Sequence, residues 1–186
     1  MLWPDREAEL AALIDRVIRN GARRFVLNAP WQRCLFKGAR GLDLWAGPFC
    51  NLANPLALQS LKQAGFSGAF VSPEMGREDF RTLPRSSPLP LGVVMAGVWP
   101  LCLSRGKAED LSIDRPFTSP KGEQSWVSRH EANFWVYPNW RLDFSQQQSE
   151  LARAGYRWFV QMEEPLPKGV KIKSRPGVWN YKIGLK

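Results

Sequence analysis

Histidine is almost missing from this chain of 186 residues: His130 stands alone. One imidazole excludes a multi-histidine metal site within a single chain. Cysteine is scarce too. Cys34, Cys50 and Cys102 are an odd number, widely spaced and without a C-x-x-C pair, so they read as reduced thiols rather than a disulfide framework. No long hydrophobic run is present. The longest apolar stretch, Leu89 to Leu103, is broken by Gly92, Gly97 and Pro100 and is too short to span a bilayer. The first twenty residues carry Asp5, Arg6, Glu7, Glu9, Asp15 and Arg16, which excludes a secretory signal of the usual kind. The expectation is a cytoplasmic protein with no membrane partner.

Apolar residues make up 44% and charged residues 23%, the profile of a folded domain rather than a disordered chain. Nine tryptophans supply large surfaces for burial or stacking. The net charge is +9, spread along the chain with one exception. From Lys168 onward there are six basic residues and no acidic one. Excess positive charge favours an anionic partner, and RNA is the obvious one.

A helix–glycine–strand pattern recurs three times. Leu10, Leu13, Ile14, Val17 and Ile18 follow Pro4-Asp5 at helical spacing and stop at Gly21, before a strand at Arg24–Leu27. Leu56, Leu58, Leu61 and Ala64 precede Gly65 and a strand at Ala69–Ser72. Leu151 and Ala154 precede Gly155 and a strand at Tyr156–Val160. Further strands are expected at Leu42–Ala46 and Leu91–Ala96, whose continuous apolar character suits strands covered on both faces. Helix alternating with buried strand gives an α/β fold with a parallel sheet, either barrel-like or doubly wound. Pro84 to Pro90 reads as a surface connection, and Gly106 to Asn133 as a long polar loop. In the tail, Val170-Lys171-Ile172-Lys173 alternates as a strand with one basic face.

Parallel folds place their sites at the C-terminal ends of strands. Those ends are polar here: Asn28, Asn51 and Asn54, Ser72-Pro73-Glu74, Ser104-Arg105, and Glu163-Glu164. Asn54-Pro55 and Ser72-Pro73-Glu74 also suit helix N-caps followed by proline, and capping outweighs ligand contact for each. Cys50 suits a small buried hydrophobe better than a nucleophile. A Ser-His-Asp set could name Ser104, His130 and Asp114, but no spacing supports it, and His130 sits in a polar segment that suits solvation.

Several ordered segments resemble a known family. Gly47-Pro48-Phe49-Cys50-Asn51-Leu52-Ala53-Asn54-Pro55-Leu56-Ala57-Leu58-Gln59-Ser60-Leu61-Lys62 resembles the strand–Asn–helix segment of the collagenase-like peptidases, family thirty-two of the peptidases of unknown catalytic type. Phe70-Val71-Ser72-Pro73-Glu74-Met75 resembles its Leu-Ser-Pro-Glu-Leu motif, and Val94 to Arg105 its Gly-x-x-Pro-Leu-Met-x-Ser-Arg segment. Leu111-Ser112-Ile113-Asp114-Arg115-Pro116-Phe117 resembles the Asp-Arg hairpin that follows. The resemblance covers most of residues 25 to 165. It implies part of a triosephosphate-isomerase-type barrel, with 1–167 as the βα segment and 168–186 as a basic tail of the same domain. It implies a hydrolase of peptidase type with a rim site at Asn54, Glu74 and Arg105, to which the strand ends add Asn28 and Glu163 as substrate contacts. No catalytic residue is singled out.

Other members of the family are implied to take part in oxygen-independent hydroxylation of RNA or ubiquinone precursors, using cysteine-bound iron–sulfur clusters. That makes an RNA- or small-molecule-directed modification module the alternative, with Lys171, Lys173 and Arg175 as nucleic-acid contacts. A third possibility is a domain that only completes a larger enzyme. The cysteine-rich segment expected after Arg105 is replaced by Gly106-Lys107-Ala108-Glu109, and the family's N-terminal signature has no counterpart. The expectation is a chain that begins mid-barrel, carries no cofactor, and needs the missing half of a longer protein or a second copy to cover its inner face. Three scattered thiols and one imidazole cannot supply four well-spaced ligands. Anaerobic reconstitution with iron and sulfide should therefore leave the purified chain colourless, and a stoichiometric brown protein would overturn this.

Overall fold

A computed structural model describes residues 6–36, 38–120 and 122–173. In chain order the elements are α1 (Glu7–Arg19), β1 (Arg24–Leu27), β2 (Asp43–Ala46), α2 (Pro55–Gln63), β3 (Gly68–Phe70), α3 (Arg77–Ser86) and β4 (Leu91–Gly97). Then come β5 (Cys102–Ser104), β6 (Pro116–Thr118), β7 (Gln124–His130), β8 (Asn133–Pro138), β9 (Leu142–Asp143), α4 (Gln148–Ala154) and β10 (Trp158–Gln161). The described residues group into two compact units, the first built from residues up to Val94 together with Gln147–Val160, the second from Met95–Gln146 and the segment from Gln161 to residue 173. No helix among the described residues is long and apolar enough to cross a membrane.

The first unit holds a sheet of parallel strands, curled into a half-barrel and flanked by helices. Its order is β1-β2-β3-β4-β10. The order never reverses, so the switch point of a doubly wound sheet is absent from it. All three glycine stops are present: Gly21, Gly65 and Gly155 have φ of 97°, 87° and 120°, the left-handed conformation that ends each helix. Phe80, Leu58 and Leu151 lie fully buried beneath the helices, each worth roughly 1.5–3 kcal/mol of burial.

One face of this sheet has a specific packing rule. Trp45 is the register partner of Gly68, and Phe70 the partner of Gly92. A Cβ on Gly68 would enter the Trp45 ring, and one on Gly92 would lie 2.5 Å from Phe70 Cε1 and 3.1 Å from Trp158 Cβ. Each large ring thus occupies space left empty on the next strand. The rings also meet one another, Trp45 lying 5.5 Å from Phe70 and 5.9 Å from Trp158 between centroids. Asp43 ties the edge to this row: it accepts from Trp45 Nε1 at 2.9 Å and from Arg24 Nε at 2.7 Å. The Arg24 guanidinium itself lies 5.0 Å over the Trp158 ring.

Three expectations are corrected. Helix α3 takes in Pro84–Ser86, which the sequence placed in a surface connection. Phe80 and Leu83 give it one buried face, and tertiary burial outweighs the helix-breaking tendency of Pro84. Helix α3 starts after Gly76, so Ser72 is not its cap; the Ser72 hydroxyl instead accepts from the Glu74 amide at 3.2 Å in a turn. Gly106–Asn133 is not a loop. It supplies β6 and β7 of an antiparallel sheet ordered β5-β8-β7-β6, the body of the second unit.

In that sheet Trp126 pairs with Tyr137 and Ser128 with Trp135, so these side chains share a face with His130. Val98, Trp126 and Tyr137 form its core, and Trp135, Val170 and Ile172 pack against them. Among the described residues of the tail Lys171 and Lys173 are exposed and Val170 and Ile172 half-buried, as the alternation predicts, and of these only Lys173 makes a bridge, opposite Trp140.

The aromatic–glycine seats yield a test. Gly68→Ala and Gly92→Ala should each cost about 1–3 kcal/mol of stability by overpacking. Gly106→Ala, with no neighbour within 4 Å of the new methyl, should unfold within about 0.5 kcal/mol of the parent. Thermal melts showing all three variants alike would refute the seating.

Candidate functional site

Three of the rim residues expected from the sequence follow the C-terminal ends of neighbouring parallel strands. Asn28 follows β1, and its side chain lies against Gly47 so closely that a Cβ there would collide with Asn28 Oδ1. Gly47 in turn donates its amide to Leu27 O at 2.7 Å. Asn54 follows β2 and caps α2, its Oδ1 accepting from the Ala57 amide at 2.9 Å with Pro55 behind it. Glu74 follows β3 and is exposed. A parallel bridge between Leu52 and Val71 holds these last two loops together. Arg105 and Glu163 are exposed residues of the second unit. Lys171 and Lys173 also belong there, and Arg175 lies outside the described residues.

Cys50 also follows β2 but is not a nucleophile in waiting. Its thiol donates to Leu27 O at 3.3 Å. Burial pushes it up from 9.0 to about 11, against a smaller opposing pull from a backbone hydrogen bond at Gly47. Among the described residues no group of three or more His, Cys, Asp or Glu side chains is placed to hold a metal ion.

A more concentrated arrangement lies in the second unit, where a cavity of about 350 Å³ is lined by Asp114, Ser128, Arg129, His130 and the stretch Glu164–Pro167. His130 Nε2 lies 3.0 Å from Glu164 Oε1. Tyr137 Oη lies 3.3 Å from the same nitrogen and is hydrogen-bonded to Glu164. Burial first, and then the Glu164 charge and that hydrogen bond, hold the Tyr137 phenol well above its ordinary range, so it stays a neutral donor. The carboxylate therefore collects two donors and fixes the imidazole by one nitrogen. Trp135 braces the ring, 5.1 Å from His130 and 6.2 Å from Tyr137 between centroids.

Beside this pair the Ser128 hydroxyl donates to Asp114 Oδ1 at 2.5 Å. Asp114 is held in place by a left-handed backbone, φ 56°, and by its amide bonding Val127 O at 2.7 Å. Of the three residues named for a Ser-His-Asp set, His130 and Asp114 do line one cavity, but Ser128 stands there, not Ser104. The expectation of a solvated His130 is half right: its side chain is 43% exposed, yet it is paired. Sequence reasoning missed Ser128 and Tyr137, and named Glu164 only as part of a polar strand end. The signal for the first was the alternation Trp126, Ser128, His130, which sets alternate residues on one strand face.

Comparison with protein-family models, with curated proteins and with solved structures finds no match.

The geometry at Cys50 makes a kinetic prediction. At pH 8 only roughly one Cys50 thiol in a thousand is ionised if its pKa is about 11. Alkylation followed by peptide mass mapping should modify the exposed Cys34 and Cys102 well before Cys50. Labelling of Cys50 at their rate would show that its thiol is not buried.

Proposed function

We propose that this chain is a barrel segment of a collagenase-like hydrolase and that His130 is its general base. The observation that carries the reading is the Glu164 carboxylate fixing His130 Nε2 at the mouth of a cavity. With Nε2–H committed to Glu164, the other ring nitrogen keeps its lone pair and can take a proton from a water attacking a peptide carbonyl. Glu164 and Tyr137 act as positioning residues, since neither is asked to touch the substrate. Pro165, Leu166 and Pro167 give the cavity an apolar wall suited to an apolar side chain of a peptide.

Supporting the barrel part are the half-barrel curl and the strand order without reversal. Asn54 caps α2 and Asn28 lies against Gly47, while Glu74, exposed after β3, is the strand-end residue proposed as a ligand contact of the first unit. Val26 and Trp158 are 50% and 43% exposed, which suits a sheet completed by further strands of a longer protein or by a second copy. The alternative of an RNA-directed module is favoured by one observation. Lys171 and Lys173 point outward from a segment whose Val170 and Ile172 are packed down.

Gelatin-derived fluorogenic peptides test the main reading. His130→Gln should lower kcat by about 10²–10⁴ with KM little changed. Glu164→Gln should also lower kcat with KM little changed, because it removes the charge that fixes the imidazole. Retained RNA binding with no hydrolysis by the parent chain would favour the alternative, and undiminished cleavage by His130→Gln would remove His130 from the mechanism.

A further inference from the structure

A second cavity, of about 360 Å³, opens on the helical side of the first unit and is lined by Arg77, Arg81, Arg85, Glu150, Arg153 and Ala154. Four guanidiniums face one carboxylate. Three of them recur at every fourth residue of α3, which puts them in one stripe with steps of about 6 Å along the helix axis. The fourth comes from α4, which packs beside α3. The hydrolase chemistry above uses none of these residues.

The stripe is held in order by its acids. Glu150 takes Arg77 in a two-pronged pair, Nε to Oε1 and Nη2 to Oε2, both at 3.1 Å. The same carboxylate lies 3.6 Å from Arg81 Nε. Arg81 also donates to Glu78 at 2.9 Å from one turn earlier on α3. Arg153 Nε donates to the Ser149 carbonyl at 3.2 Å, which leaves its charge uncompensated by that contact. Arg85 makes no ion pair among the described residues. The result is a graded site. Arg77 and Arg81 are fixed by carboxylates, while Arg85 and Arg153 carry charge that no ion pair among the described residues neutralises.

We infer that this groove binds closely spaced phosphate groups. Guanidinium forks match phosphate oxygens two at a time, and a row of them at regular intervals matches a row of phosphates better than a single anion. The shared chemistry can come from a free oligophosphate or from a phosphodiester strand. The site is independent of the basic tail and of the His130 cavity, so failure of either of those readings leaves it intact.

Titration calorimetry of the full chain with inorganic tripolyphosphate, and in parallel with a single-stranded RNA homopolymer, tests the site. Arg85→Gln combined with Arg153→Gln should weaken the bound probe by at least about tenfold, as expected for lost charged hydrogen bonds. It should also flatten the dependence of log K on log salt, by about one and a half units for the RNA strand. Arg40→Gln, an equal charge change per residue at an exposed position outside the groove, should leave affinity within about twofold of the parent. Tight tripolyphosphate binding with weak RNA binding identifies a free oligophosphate, and the reverse identifies a phosphodiester strand. The proposal is overturned if neither probe binds at millimolar concentration, or if Arg40→Gln costs as much per charge as the groove variants.

Discussion

The parallel sheet depends on rings that fit only where the neighbouring strand has no side chain. Adjacent strands lie about 4.8 Å apart, so register partners on one face compete for the same space. Trp45 and Phe70 resolve that competition by lying over Gly68 and Gly92. Sliding a strand by one residue would set Trp45 against Ala69 and turn every other side chain to the wrong face. Register is therefore fixed by shape as well as by burial. Fixed register sets where each strand ends, and hence where Asn28, Asn54 and Glu74 emerge.

The second unit solves a similar problem with a different device. Its hairpin face stacks Trp126, Tyr137 and Trp135, with ring planes 21° and 22° apart for the successive pairs. Val170 and Ile172 pack against its core, and Glu164 pairs with the His130 imidazole. The same aromatic surface thus supplies apolar burial for the tail and a rigid bed for the imidazole. Tyr137 links the two roles, with its ring in the core and its hydroxyl on the carboxylate that holds His130.

The βα units were legible because each helix ended in a glycine of positive φ followed by an apolar strand, and the first two helices also carried a full apolar stripe. Helix α3 was not, because only Phe80 and Leu83 mark its buried face and Pro84 argues against a helix locally. The β7–β8 hairpin was missed for a related reason: it turns at Glu131, φ 55°, and Ala132, without the Asn-Gly or Gly-Gly pair that announces a tight turn. At the strand ends, the polar residues were visible but their tasks were not. Asn54 caps a helix, as its Pro55 neighbour hinted, while Asn28 lies across Gly47, a contact between strands that no local pattern encodes. In the His130 cavity Glu164 and His130 sit far apart along the chain, and only folding of the segment after β10 onto the hairpin joins them.

The aromatic–glycine seats also constrain how this sequence can drift over generations. Enlarging residue 68 while Trp45 remains produces a collision, and shrinking Trp45 while Gly68 remains leaves a void beside Phe70 and Trp158. Neither single step is neutral, so the two positions must change together or through an intermediate of reduced stability. Phe70 and Gly92 form a second such pair, and Phe70 touches Trp45 directly. Four positions on three strands are thereby sterically coupled, while exposed residues such as Lys62 and Gln63 are free of that constraint.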